Sequence, residues 1–365
     1  MSPFEVAMMA SGFLVILMFI MSVMLFFSIN FKRSKQDKPK KIFFKFENLY
    51  KNRKKLTPPL LNGEKLIQKA EKLRSSGKLI RARYLANIAG ELSDNPDFCP
   101  AKLKEVLLPD INKIKKPISN SLLAQHISHP QLHNLLTPAF VAISKAQLEI
   151  KSHPTINYNL KNQDKASNYN KNEIIIGYFS KISKMLLGFE PQIFYKNKDI
   201  NILHANTQKN NKWYPSLLFG NKFISCSTEE QIFLLASKLA LFRPEIRILL
   251  CYPTEEKFAD FAREILDYRK SPVKTRIMKN VHTEDQKAIL EFLTKDEIEI
   301  SVFINWRKGA ILTANRVGLI FANDFNKINL LLKENGELET KLDLMSYIIS
   351  ERFMKTLINL KMIPE

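Results

Sequence analysis

The chain has 365 residues, 45% apolar and 25% charged, a globular balance with room for one large domain or two ordinary ones. Its cysteines, Cys99, Cys226 and Cys251, are odd in number, scattered and without CxxC pairing, which excludes a disulfide framework. The formal charge of +20 is uneven: eleven Lys or Arg against Asp37 and Glu47 crowd into residues 32–55, and the rest is spread thinly over an Asn-, Lys- and Ile-rich chain.

Val6 to Ile29 is an uncharged run of 24 residues. At 1.5 Å per residue such a helix crosses a hydrocarbon layer of about 30 Å. It predicts a transmembrane anchor over residues 1–31; a cleaved signal peptide would need a basic leader, a shorter apolar core and a small-residue cleavage site, none of which is visible. The positive charge directly after the span holds that side in the cytoplasm. The expected protein is therefore single-pass in the inner (cytoplasmic) membrane, with its bulk on the cytoplasmic face. Residues 32–61 form a basic juxtamembrane linker. Within it Lys32, Arg33, Lys40, Lys41, Lys54 and Lys55 are candidate contacts for anionic lipid, each adding up to about 1 kcal/mol, with Phe43, Phe44, Phe46 and Tyr50 interleaved. Nucleic acid competes for a basic, aromatic segment, but a lipid tether makes the membrane the nearer polyanion. The plain alternative is a solvated linker that enforces topology.

Residues 62–150 form a helical region. Ala70 and Leu73, then Gly77 at a turn, then Ala82, Ala86 and Ala89, with Pro96 following, resemble a tetratricopeptide hairpin. A lone repeat cannot bury its own apolar face, so it must stack on the rest of the chain or on a partner's helix. Candidate neighbours are residues 100–108 and 119–123, or the domain that begins at residue 173. His126, His129 and His133 cluster in QHISHPQLH, but Pro130 stands where a general base would be. These histidines read as residues at and near helix ends. Residues 136–150 are helical, and residues 151–172, rich in Asn and Lys and without period, read as a loop.

From residue 173 to 365 the pattern becomes that of a mixed domain. A helix over 174–187 leads into strand-like QIFYK and NILHA. Ser227 with Glu230, or Thr228 with Gln231, makes a capping box ahead of IFLLASKLALF, a helix almost without a polar face that ends at Pro244. Helical periods follow at 258–266 and 285–294, and residues 337–360 form an amphipathic closing helix with Leu338, Leu342, Met345, Ile348, Ile349 and Phe353 on its stripe.

The strand segments, the capped helix and Trp306-Arg-Lys-Gly-Ala-Ile-Leu-Thr-Ala-Asn-Arg316, in this order over roughly residues 173–335, resemble the HtpX-like family of membrane-associated zinc peptidases. The resemblance implies an α+β, mostly helical, zincin-like domain with a small sheet. It also implies a HEXXH helix and a later helix supplying a third ligand through Glu-x-x-Ala-Asp. Laid on this chain, the two His positions fall on Ser237 and Leu241, the base on Lys238, the third ligand on Ile311 and the supporting Asp on Asn315. Leu241 and Ile311 have no donor atom, and Lys238 adds a positive charge where a cation should sit. Asn315 could offer its carbonyl to a buried Lys238. No catalytic residue, metal or cofactor is expected. The implied function is a membrane-anchored, non-catalytic pseudo-peptidase that binds or scaffolds a protein or peptide partner, with an extended peptide added along an edge strand around Leu217–Ser225. The alternatives are an enzyme with an unrecognised site, drawn from Cys226, Cys251, His204 and His282, or an anionic-lipid or polyanion-binding module.

Overall fold

The computed structural model describes residues 61–93, 114, 116–132, 136–165, 173–271, 276–295, 298–322 and 324–363, all within the unit Ile42–Glu365. The span expected over residues 6–29, the basic linker with its six lipid candidates, residues 100–108 and His133 lie outside the described residues. Among the described residues no helix is long and apolar enough to cross a membrane.

The first elements form the expected hairpin, α1 (Gly63–Ser75) and α2 (Leu79–Ser93). Gly77 sits at φ +78°, a left-handed turn that costs glycine little. Ala70, Ala82, Ala86 and Ala89 are fully buried, so the two backbones approach closely. A helical turn at Asn120–Leu122, capped by Ser119, runs into a π-helical turn at Leu123–Ile127. Then come α3 (Leu136–Lys151), buried on most of its surface, and α4 (Glu173–Leu187). The stretch between them, read as a loop, contains 3-10 turns at Thr155–Tyr158 and Asn162–Asp164; residues 166–172 are outside the described set.

Five short strands follow: β1 (Gln192–Tyr195), β2 (Ile202–Ala205), β3 (Gln208–Lys209), β4 (Lys212–Trp213) and β5 (Ser216–Phe219). β3 and β4 are a hairpin whose turn residues, Asn210 and Asn211, both have positive φ, as a primed two-residue turn requires. The other three form a sheet in the order β1-β5-β2, with β1 parallel and β2 antiparallel to β5. This corrects the expectation of an edge strand at Leu217–Ser225. β5 is the central strand, paired on both sides, and Asn221–Ser225 is a short helix, α5, with Phe223 fully buried.

The remaining helices are α6 (Thr228–Ala240), α7 (Glu255–Lys270), α8 (Thr283–Lys295), α9 (Ile300–Ala322), α10 (Phe325–Glu334), α11 (Leu338–Ile348) and α12 (Glu351–Asn359). The capping box at the start of α6 is present: the Ser227 backbone N–H donates to Glu230 Oε2 at 2.7 Å. The single closing helix expected over 337–360 is two helices, because Ser350 leaves helical geometry and caps α12 with its hydroxyl. Of the expected stripe, Ile348 and Phe353 are buried, whereas Leu338 and Leu342 are exposed.

α6 and α9 cross at the centre. Around them, Phe140 meets Trp306 edge-on at 4.5 Å, Phe258 stacks on Trp306 at 5.9 Å, and the indole N–H donates to Thr137 Oγ1 at 2.8 Å. Below the end of α6 the buried Arg243 guanidinium donates to the carbonyls of Ile118 and Leu186, to Asn120 Oδ1 and to the fully buried Glu245, at 2.7 to 2.9 Å. The hairpin docks within the chain: Tyr84 meets Phe353 edge-on at 5.5 Å, Arg81 pairs with Glu351 at 3.5 Å, and Asn329 bonds Glu91.

Candidate functional site

Two helices and one strand build a cleft of about 580 Å³. α6 supplies Phe233, Leu234, Ser237, Lys238 and Leu241; α9 supplies Arg307, Ile311, Ala314 and Asn315; β2 and the residue after it supply Ile202, Leu203, His204 and Asn206. All five positions singled out from the sequence, Ser237, Lys238, Leu241, Ile311 and Asn315, therefore share one cavity. Helical spacing explains it. Residues 234, 237, 238 and 241 recur at three and four, as do 307, 311 and 315, so each set lies on one face.

The crossing of α6 and α9 is tightest at Gly318. A Cβ there would lie 2.1 Å from Ser237 Oγ and 2.7 Å from the Phe233 carbonyl oxygen. The Ser237 hydroxyl is buried and has no hydrogen-bond partner, and so no base to activate it, among the described residues; it fills a packing position. Leu241 caps the C-terminus of α6, and Ile311 packs half-buried against the core. The Asn315 amide donates to Thr340 Oγ1 at 3.4 Å. It makes no bond to Lys238, which corrects that expected pairing.

Lys238 is half-buried, and its ammonium makes neither a hydrogen bond nor an ion pair with the described residues. Burial lowers its pKa from the usual lysine value, and the charge of Glu337, exposed at the mouth, opposes the shift. The second cation, Arg307, donates to the Pro253 carbonyl at 3.1 Å and faces Glu255 at 4.0 Å, and its Nε is buried without a partner. His204 Nε2 lies 2.9 Å from the Lys238 carbonyl. A carbonyl only accepts, so Nε2 carries a proton; burial, opposed by that hydrogen bond and reinforced by the Lys238 charge, lowers the ring's pKa to about 4 and favours its neutral form.

The edge of β2 beside this cleft is open. Gly220 N–H donates to the Asn201 carbonyl across from it, which fixes the phase of the ladder. Leu203 and Ala205 therefore turn their N–H and C=O groups towards β5, and Ile202 and His204 turn theirs outward. Those outward groups have no backbone partner among the described residues. The edge closes at Asn206, whose carbonyl accepts the His153 N–H at 3.0 Å.

The remaining candidates stay apart. Cys226 donates weakly to the Lys222 carbonyl at 3.1 Å, and burial raises its pKa, as do Glu230 and Glu334. Cys251 is buried, which pushes its thiol up to about 12, the opposite of activation. His282 Nδ1 accepts the Glu284 N–H at 3.4 Å. His129 Nδ1 accepts the Gln131 N–H at 3.2 Å, and its Nε2 faces Asp343 at 3.4 Å. Asp343 is held by the Arg316 fork at 2.6 and 2.9 Å. Burial first, then Arg316, Arg352 and Lys308, pull His129 down to about 3. Among the described residues no group of three or more His, Cys, Asp or Glu side chains gathers as metal ligands would.

Arg307 of the cleft was not singled out from the sequence, although it stands four residues before Ile311 and so shares its face. His204, a candidate for an unrecognised site, lines the same cleft. Compared with family models, curated proteins and solved structures, the chain matches none.

Proposed function

We propose that this chain is a membrane-anchored, non-catalytic peptide-binding protein of the cytoplasmic membrane face. Its cleft takes an extended segment of a protein partner as an added strand on β2. The observation that carries this reading is the open edge at Ile202 and His204 beside a cavity lined by Ser237, Leu241 and Ile311, the residues on which the resemblance would lay the metal ligands. Main-chain bonds along a free edge give affinity, and pockets between them give selectivity. Each such bond contributes about 0.5–1.5 kcal/mol net. The expected edge at Leu217–Ser225 is replaced by β2 because β5 has no free side.

The test uses the full-length chain in detergent and an immobilised random dodecapeptide library, with hits remeasured by fluorescence anisotropy. His204→Pro removes the outward N–H and sets a ring against the incoming strand, whereas His204→Gln keeps the backbone. We expect His204→Pro to weaken binding by at least about tenfold, roughly 1.4 kcal/mol, with His204→Gln within about threefold. Absence of saturable binding, or equal effects of the two variants, refutes strand addition. Zinc bound stoichiometrically to the purified chain refutes the non-catalytic assignment.

A further inference from the structure

Two features of the cleft bear on which part of a peptide it would take. The first is the blocked end of the β2 edge. The His153 N–H occupies the Asn206 carbonyl, and the Asn206 amide donates to the Leu250 carbonyl at 2.9 Å, so a strand added at Ile202 and His204 cannot run on past Asn206. A segment threading through from either direction would need those bonds broken. A chain end would not.

The second feature is charge. The ionisable groups facing the cavity are Lys238, Arg307, His204 and Glu337. His204 is neutral, Glu337 is exposed at the mouth, and Arg307 is engaged by the Pro253 carbonyl. Lys238 is left as a half-buried ammonium with no contact partner among the described residues, one helical turn from Leu234 and Leu241 and lining the same cavity as Ile311. A desolvated charge of this kind is a cost unless a counter-charge arrives. Its backbone carbonyl bonds the His204 ring at 2.9 Å, so the lysine lies beside the residue whose outward backbone groups would receive a strand.

Resting on the peptide-binding reading above, we propose that the cleft recognises the carboxy terminus of its partner. The terminal carboxylate pairs with the Lys238 ammonium, and the last side chain, an apolar one, lies among Phe233, Leu234, Leu241 and Ile311. An amino terminus would bring a third positive charge to this cavity and is rejected.

The experiment compares two immobilised random nonapeptide libraries, one with free carboxylates and one with carboxamides, on the full-length chain in detergent. We expect binders from the free-acid library that end in Leu, Ile, Val or Phe, and amidation of each should weaken it by at least about tenfold, roughly 1.4 kcal/mol. Lys238→Met, which keeps the stem and removes the charge, should erase the difference between acid and amide. Lys238→Arg should retain the preference. Equal binding of acid and amide by the wild-type chain, still weakened by His204→Pro, overturns carboxylate recognition and leaves strand addition standing. Displacement of a bound peptide by decanoate at the same affinity assigns the cleft to fatty carboxylates and overturns the peptide terminus. Binding by neither library overturns this inference and the peptide-binding reading together.

Discussion

One substitution at two places separates close helix packing from mere helix propensity. Gly177 lies on an exposed part of α4 with nothing within 4 Å of an added methyl, whereas the same methyl at Gly318 of α9 would sit 2.1 Å from Ser237 Oγ, 2.7 Å from the Phe233 carbonyl oxygen and 2.9 Å from Phe233 Cδ2. Gly177→Ala should stabilise by about 0.5–1 kcal/mol, the ordinary gain from replacing glycine inside a helix. Gly318→Ala carries the same gain but meets backbone that moves only if α6 and α9 separate. Overpacking costs about 1–3 kcal/mol, and a clash with a carbonyl belongs at the upper end, so the net loss should be about 2 kcal/mol. Ser237→Ala removes the nearest atom, a buried hydroxyl without a partner, and leaves the contact with the Phe233 carbonyl. Added to Gly318→Ala it should recover about 1 kcal/mol, a coupling typical of residues in contact. Urea unfolding of the full-length chain in detergent, followed by far-ultraviolet circular dichroism, gives the midpoints; the slopes should not change. If Gly318→Ala stabilises as Gly177→Ala does, the helices do not cross as described, and the cleft that depends on their crossing falls with them.

Arg243→Met should cost about 3–5 kcal/mol, because it strands a fully buried Glu245 and three further acceptors, whereas the pair Arg243→Met with Glu245→Met should recover most of that loss in the same unfolding assay. A single-variant loss below about 1 kcal/mol would contradict the clamp role. His129 gives a pH dependence of definite sign. Its folded pKa, near about 3, lies below the 6.5 of an unperturbed histidine, so the unfolded chain binds the extra proton first. Stability should be complete above about pH 6.5 and fall as pH drops towards the folded value, by up to roughly 1.4 kcal/mol per unit. His204 shifts in the same direction. The lowered carboxylates Asp164, Glu190 and Glu229 add their own losses only below the ordinary carboxylate range, so melting between pH 6.5 and pH 5 isolates the histidines. His129→Gln should lower the slope of that segment by about half, leaving the His204 share, and an unchanged slope would refute the assignment.

Local signals in the sequence carried far where the physics is local. The Ser227–Glu230 box, the turn at Gly77 and the spacing of Ser237, Lys238 and Leu241 on one face are fixed by residues within a few positions of each other, and each is present in the structure. The meeting of Ile311 and Asn315 with that face came from the resemblance, since periodicity alone does not say which helix a helix meets. Sheet order was not legible. β5 follows β2 in the chain yet lies between β1 and β2, a pairing decided by non-local register, and so the free edge was assigned to the wrong strand. The break at Ser350 was hidden because the apolar spacing of three and four runs straight through it, while the serine's cap satisfies the backbone N–H that the second helix would otherwise leave open. The Arg243 clamp joins residues 118, 120 and 186 to 243 and has no local signature at all.

The docking of α2 against α12 sets a timetable for the ribosome. Tyr84 and the alanine face of the hairpin emerge early, but Phe353, which covers Tyr84, is translated roughly 270 residues later, or about 15–50 s at common synthesis rates. Throughout that wait the hairpin has its turn and its helices but not its final cover. A nascent chain halted before α12 would present this surface to whatever holds unfinished polypeptides at the tunnel exit, and the emergence of α12 is the event that lets the two helices close on one another.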